Sequence, residues 1–107
     1  MIYLASPYSD PDPLVMEQRF DAVCRKAGEL MNTGLVIYSP IAHCHPIAVR
    51  VGLPRDWAFW KTFDTVMLKG ATAFYILRLP GWDTSKGVKA EREIAESMGV
   101  PVTEIDP

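Results

Sequence analysis

The chain has 107 residues, of which 49% are hydrophobic and 22% are charged. This length and balance suit a single folded domain with one core, and we expect residues 1–107 to form it. The formal net charge is −2 and the 11 basic residues form no run, which disfavours binding to a nucleic-acid polymer or an acidic membrane surface. The two cysteines are too few for a disulfide scaffold, and neither a signal peptide nor a membrane-spanning apolar run is recognisable, so a cytoplasmic protein is expected.

The first half of the chain is predicted to form two strands and one helix. Residues Ile2–Ala5 are apolar and stop at a Ser-Pro turn, which is typical of a buried strand. From Pro13 the apolar residues recur at spacings of three and four, which predicts a helix that ends at Gly34. A second apolar strand covers residues 35–38. Residues 41–53, which carry both histidines, are predicted to be irregular.

The second half of the chain is predicted to alternate helices and strands. Pro54 suits the first turn of a helix with a bulky apolar face. Ala73–Leu77 is the third strand, and a loop rich in turn residues follows it. A third helix covers residues 85–98, and residues 102–105 form the last strand.

The resulting order, βαβαβαβ, predicts an α/β fold. We expect a three-layer sandwich of the flavodoxin or Rossmann-like type, with helices on both faces of a parallel sheet and the strand order 2-1-3-4. In that order the sequence of strands reverses between the first and third strands, and ligands bind beyond the carboxyl ends of strands at such a point. A site is therefore expected in the loops after Ala5 and after Leu77.

An acidic residue on the apolar stripe of the third helix is the strongest sign of a site. Glu91 stands three residues after Val88 and four before Ala95, so it shares their inward face, which is predicted to include Met98. A carboxylate there is costly unless it is paired or faces a polar cavity. Two interpretations stay open: a structural carboxylate paired with a buried Arg or a Tyr hydroxyl, and a pocket carboxylate that acts as nucleophile or base.

Other residues have more than one interpretation. Ser85 is either a plain N-cap or, with Gly87, part of an anion site at a helix N-terminus. Asp64 lies near the inward edge of the second helix, where it either pairs locally or faces the same cavity as Glu91. Tyr3, inside a central strand, is on pattern alone an aromatic core residue with a satisfied hydroxyl.

The His43-Cys44-His45 segment suggests a metal site. No second cluster supplies further ligands at a useful spacing, so no metal and no cofactor are expected. His45 is interpreted as a loop residue at the rim of the pocket, or as one bonded to the backbone. Tyr8, in the loop after the first strand, is expected to line the pocket.

Three short motifs together extend over most of the chain: Ile2-Tyr3-Leu4-Ala5-Ser6-Pro7, Asp64, and Ser85-x-Gly87-Val88-x-x-Glu91. In combination they resemble the nucleoside 2-deoxyribosyltransferase superfamily. The resemblance implies that Glu91 is the nucleophile, that Tyr3 sits against it and that Asp64 helps to bind the substrate. The Leu-Pro-Gly-Trp segment at residues 79–82 is similar to an uncharacterised branch of that superfamily.

One departure from the family pattern concerns Ser85. The transferases usually carry an Asp at this position, whereas a Ser is similar to the branch that hydrolyses 2′-deoxynucleoside 5′-monophosphates. The family as a whole implies cleavage or transfer at the N-glycosidic bond of a small nucleoside or nucleotide, through a glycosyl ester on Glu91. Ser85 favours hydrolysis of a nucleotide over transfer of a base. Tyr8 and Trp82 are candidates to stack on the base. From the residues and the resemblance together, the predicted substrate-binding residues are Ser6, Tyr8, His45, Trp82, Ser85 and Gly87.

Two alternative functions stay open, and an oligomer is expected. Pro80-Gly81 followed by Gly87 and Glu91 partly matches the signature of ribonucleotide phosphoribohydrolases. A non-catalytic nucleotide sensor on the same fold is the second alternative, since fold alone does not determine function. The helix with Trp57 and Trp60 suggests an apolar face that needs cover, so a homodimer or a higher homo-oligomer is expected.

Overall fold

Four strands and four helices make up the structure, a computed structural model that describes residues 1–107. In chain order the elements are β1 Ile2–Ala5, α1 Pro13–Asn32, β2 Ile37–Tyr38, α2 Pro40–Val51, α3 Trp57–Lys69, β3 Ala73–Leu77, α4 Lys86–Ser97 and β4 Val102–Ile105. The strands form one all-parallel sheet in the order β2-β1-β3-β4, which confirms the predicted fold class and strand order. No helix is both long and apolar enough to span a bilayer.

Two apolar clusters hold the helices against the sheet, one on each face. They form because successive residues of a strand point to opposite sides. The cluster under α3 and α4 contains Tyr3, Ala5, Leu68, Phe74, Ile76, Val88 and Ala95. The cluster under α1 contains Leu4, Val23, Ala27, Ile37, Leu77 and Leu79. β1 lies at the centre, because Ile2 is in register with Ile37 of β2 and with Ala73 of β3.

The prediction that residues 41–53 are irregular is wrong, because most of them belong to the helix α2. Ser39 Oγ accepts a hydrogen bond from the Ala42 N–H at 3.1 Å, and Pro40 occupies the first turn, where its missing N–H removes no helical hydrogen bond. Gly52 ends the helix in the left-handed region, with a φ of 66°. Pro46 lies inside the helix, and an interior proline is a signal that normally argues against a helix.

Two helix boundaries differ from the prediction. α3 begins at Trp57 rather than at Pro54, because the Trp60 indole N–H donates to the Pro54 carbonyl at 2.8 Å and so holds this loop outside the helix. Met98, predicted on the inward face of α4, is the C-cap and is 36% exposed. The chain is already leaving the helix at that residue, so the helical spacing no longer applies to it.

The second strand is shorter than predicted. β2 contains only Ile37 and Tyr38, and Val36 before it is 70% exposed. The Val36 carbonyl still accepts the Ile2 N–H at 2.8 Å. β2 is an edge strand and has a neighbouring strand on one side only. The apolar run over residues 35–38 therefore predicts a longer strand than the two residues that pair with β1.

Candidate active site

A cavity of about 1020 Å³ opens at the carboxyl ends of β1 and β3. The order of the strands reverses there, so the cavity lies where the predicted topology places a ligand. Its wall is built from the loop after β1, α1, α2, α3, and the loop after β3 with the start of α4. Seven of the predicted site residues line it: Ser6, Tyr8, His45, Asp64, Ser85, Gly87 and Glu91.

Glu91 reaches this cavity from α4. Its side chain is 6% exposed and lies on the face with Val88 and Ala95, as the spacing predicts. Tyr3, on the central strand β1, donates a hydrogen bond from its hydroxyl to Glu91 Oε2. Tyr3 is fully buried and stacks on Phe74 with 5.5 Å between ring centroids, so its hydroxyl is held in one position. The carboxyl group is thus paired with a tyrosine and also faces the cavity.

A second buried carboxyl group, that of Asp64 on α3, lines the same cavity. Burial and then the charge of Asp64 raise the pKa of Glu91 to about 8, although the Tyr3 hydrogen bond opposes the shift. Burial raises the pKa of Asp64 to about 6. Burial and the two neighbouring carboxylates also raise the pKa of Tyr3, so its hydroxyl keeps its proton. Near neutral pH the two carboxyl groups therefore do not carry two full negative charges.

The start of α4 combines a cap with an open approach. Ser85 is the N-cap, and its Oγ accepts the Val88 N–H at 3.2 Å, so the structural interpretation of this serine holds. Gly87 faces open space, because a Cβ built on it would meet only Ser85 Oγ, at 3.9 Å. The N–H groups in the first turn of a helix have no acceptor within it and carry the positive end of its dipole. An anion can therefore approach α4 over Gly87.

Ser6 is a polar residue of the wall without a partner. It follows β1 directly and is 5% exposed. Its Oγ is buried and makes no hydrogen bond to the protein. A buried hydroxyl normally has a partner, so this one is available to a polar group in the cavity.

Arg19, on α1, is a cavity residue that was not predicted from the sequence. Its guanidinium donates to the carbonyl oxygens of Tyr8 and Pro80, at 3.2 and 3.4 Å, and so joins the loops after β1 and β3. It forms no ion pair with an acid. A signal existed: Arg19 stands three residues after Met16 and four before Val23, both buried. A cation on an apolar stripe is the same kind of anomaly as the acid on α4.

His45 lies on α2, so its interpretation as a loop residue or as one bonded to the backbone is wrong. Its ring is 7% exposed. Nδ1 shares a hydrogen bond with the Tyr8 hydroxyl, and Nε2 lies 3.1 Å from Glu17 Oε2. Phe20 stacks on the ring with 4.4 Å between centroids. Neighbouring His43 instead faces Phe63, with 6.1 Å between ring centroids, so the two histidines have different surroundings.

The aromatic residues are distributed differently from the prediction. Trp82 does not line the cavity and packs against the core cluster under α3 and α4. Trp57 and Trp60 are half-buried and line the cavity, so they are not the outward face of their helix. The exposed apolar side chains of α3 include Phe59 and Val66, which are 45% and 60% exposed.

Comparison with known proteins identifies one family. A family model described as a domain of unknown function, DUF1937, matches residues 1–106. The match includes every cavity residue described above. No curated protein matches the sequence.

The raised pKa of Glu91 should make the protein less stable as the pH rises. This pKa is about 8 in the folded protein, against an ordinary value of 4.5, so between those values the folded state binds more protons than the unfolded state. The resulting stabilisation is fully present below the ordinary value and is lost as the pH rises through about 8. Urea denaturation should therefore give a larger free energy of unfolding at pH ~6 than at pH ~8.

Glu91→Gln should flatten this dependence, because an amide does not titrate. Glu93→Gln is the matched control, since Glu93 is exposed on the same helix and should leave the dependence as it is in the wild type. A wild-type stability that rises with pH over this window would contradict the assignment of the buried proton to Glu91.

Proposed function

The chain belongs to the DUF1937 family, and we propose, from the geometry of its cavity, that it cleaves the N-glycosidic bond of a nucleoside 5′-monophosphate with Glu91 as the nucleophile. The observation that carries the proposal is the contact of Tyr3 with Glu91 at a cavity that also holds Asp64. The motifs around these residues resemble the nucleoside 2-deoxyribosyltransferase superfamily, which supports the same chemistry.

Glu91 is suited to attack the anomeric carbon of a sugar. The Tyr3 hydroxyl holds Oε2 and leaves Oε1 for the substrate. Attack by Oε1 of the ionised carboxylate forms a bond to C1′ while the C1′–N bond breaks, and the base leaves with the electron pair and takes a proton from solvent. Because the pKa of Glu91 is about 8, the fraction of Glu91 in this ionised form rises as the pH rises toward that value. Water then opens the glycosyl ester. The net reaction consumes one water molecule and releases the free base and the sugar phosphate.

The buried carboxyl groups suit the charge that develops in this reaction. The transition state resembles an oxocarbenium ion, and Glu91 and Asp64 would stabilise its positive charge. Burial makes it unfavourable for Glu91 and Asp64 both to carry a negative charge. A positive charge that develops on the sugar between them reduces this cost. Asp64 and the unpartnered Ser6 hydroxyl are available to bind the sugar hydroxyls.

We assign the 5′-phosphate to the start of α4. Gly87 leaves room for the phosphate to approach the first-turn N–H groups. Lys86 and Arg19 are cations of the same cavity, and Arg19 has no acidic partner to neutralise it. Trp57 and Trp60 offer aromatic surfaces to the base from α3.

Glu91→Gln tests the nucleophile. The variant keeps the shape of the side chain but has no carboxylate oxygen to attack C1′, so release of free base should fall by about a thousandfold or more. The substrates are a panel of nucleosides and their 5′-monophosphates, and free base is measured by chromatography. Nucleotide binding, measured by calorimetry, should persist because the phosphate contacts lie elsewhere. Glu93→Gln is the control and should retain wild-type activity. Wild-type protein that binds nucleotide without releasing base would contradict the proposal and favour a sensor.

Ser85→Asp tests the phosphate site. Asp caps a helix as well as Ser does, so α4 should stay intact, but its charge should repel the phosphate. The KM for a nucleoside 5′-monophosphate should rise about tenfold or more, since like charges in contact are strongly unfavourable. Turnover of the matching nucleoside should be retained. Ser85→Asn is the neutral counterpart and should not separate the two substrates. If Ser85→Asp affects the nucleotide and the nucleoside equally, or affects neither, the phosphate does not bind beside Ser85.

We also propose that a second copy of the chain covers an apolar surface on α2 and α3. Apart from Val49, which lines the cavity, five large apolar side chains are exposed on these helices: Ile47, Val51, Phe59, Phe63 and Val66. Contiguous exposed apolar surface of this kind marks an interface more often than scattered single residues do. Three of these side chains, Ile47, Phe59 and Phe63, line one groove of about 420 Å³.

Sedimentation should detect this self-association. The wild type should exceed the monomer mass of 12.0 kDa at micromolar concentration, and Val66→Glu should shift it toward the monomer. Leu14→Glu is the matched control, because Leu14 is also exposed and apolar but lies on α1. A wild-type protein that sediments as a monomer would refute the proposed interface.

A further inference from the structure

Tyr8, His45 and Glu17 form a chain of hydrogen bonds on the cavity wall that the reaction described above does not use. They come from three different segments, the loop after β1, α2 and α1. The buried imidazole lies in the middle, with the Tyr8 hydroxyl at Nδ1 and the Glu17 carboxylate at Nε2. A hydroxyl, an imidazole and a carboxylate connected in this order are a recurring means of activating an oxygen nucleophile.

The partners of the ring determine which nitrogen carries the proton. A carboxylate only accepts hydrogen bonds, so His45 Nε2 carries the proton that it donates to Glu17. In the neutral ring Nδ1 is then an acceptor, and the Tyr8 hydroxyl donates to it. His45 can therefore receive a proton through Tyr8, and Glu17 would stabilise the imidazolium that forms.

The side chains of Tyr8 and His45 are held in place by their neighbours. Phe20 stacks on the His45 ring, and the Tyr8 ring meets the same imidazole edge-on with 5.3 Å between centroids. Arg19 donates to the Tyr8 carbonyl at 3.2 Å and so fixes the loop that carries the tyrosine. The histidine is thus oriented on both sides before any ligand binds.

Tyr8 stays a neutral phenol, mainly because it is partly buried. Burial is the largest influence and raises the pKa of Tyr8, the charge of Arg55 lowers it, and the charge of Glu17 raises it. Arg19 is the other cation near this loop, where it contacts backbone oxygens. Because the phenol keeps its proton, Tyr8 can pass one proton on only by accepting another at the same time.

We propose that Tyr8, His45 and Glu17 act as the general base that activates water in the second half of the reaction, an inference that rests on the function proposed above. Glu91 is not available for this task, because its carboxyl is then bonded to the sugar. Tyr3 is not available either, because it is fully buried and bonded to Glu91. Tyr8 would contact the water, His45 would take the proton, and Glu17 would position and stabilise the histidine.

The proposed step is balanced in protons and electrons. The water oxygen forms a bond to C1′ while the C1′–O bond to Glu91 breaks, and the electron pair of that bond returns to the carboxylate. One water proton passes to the Tyr8 oxygen as the Tyr8 proton passes to His45 Nδ1. His45 then releases a proton to solvent, which offsets the proton that the departing base took up in the first half.

Tyr8→Phe removes only the hydroxyl that would contact the water. With the common 2′-deoxynucleoside 5′-monophosphates, base release in the first turnover should stay close to wild type, while later turnovers slow by about a hundredfold or more. Rapid-quench kinetics separate the two phases. Intact-protein mass spectrometry should detect the accumulated ester as an added sugar-phosphate mass. Azide needs no general base, so it should restore turnover and yield the glycosyl azide.

Tyr75→Phe is the matched control, because it removes a hydroxyl from a tyrosine of β3 that does not line the cavity, and it should behave as wild type. His45→Gln should reproduce the effect of Tyr8→Phe, and if it fails to fold, Tyr8→Phe decides alone. If Tyr8→Phe slows the first and later turnovers equally, or neither of them, and azide has no effect, the general-base role is overturned while Glu91 remains the nucleophile. A wild type that releases no base would overturn the proposed function, and this inference with it.

Discussion

The hydrogen bond from the Tyr3 hydroxyl to the Glu91 carboxyl joins α4 to the central strand of the sheet, across 88 residues of chain. Tyr3 is fully buried in that strand, so its hydroxyl needs a partner, and Glu91 is buried too, so its carboxyl needs a donor. Each group reduces the cost of burying the other. Glu91 also lines the cavity, which opens at the carboxyl ends of the inner strands, where the strand order reverses.

The charges of the cavity follow from this burial. Asp64 adds a second acid beside Glu91, and the pKa of both rises because water is excluded from them. The positive groups lie on other parts of the wall, with Arg19 between the loops after β1 and β3 and Lys86 at the start of α4. A ligand with an electron-poor carbon next to the acids and an anionic group next to the cations matches this distribution.

The spacing of residues along a helix predicts which side chains point inward, whereas the contacts of a side chain with distant parts of the chain leave no such pattern. Glu91 was placed at the cavity from its spacing on α4, and the same reasoning applied to α1 would have found Arg19 between Met16 and Val23. No helix is predicted from the sequence where α2 forms, and the interior Pro46 of that helix is a sequence signal against it, although Ser39 caps it. The contacts of His45 were missed for that reason too, since they depend on α2 packing against α1. Trp82 is predicted to stack on the base but packs against the core instead, because the sequence of a loop does not indicate in which direction an aromatic side chain points.

The amino-acid sequence by itself determines the alternation of strands and helices, the parallel sheet and the inward position of Glu91, because strand and helix periods are local and each is read within a few turns or pleats. Only the tertiary structure decides which polar groups meet. Tyr8 and His45 are 37 residues apart, and Tyr3 and Glu91 are 88 residues apart. Hydrogen bonds act over about 3 Å, so no local pattern records them. They exist because packing of the helices on the sheet brings distant residues together.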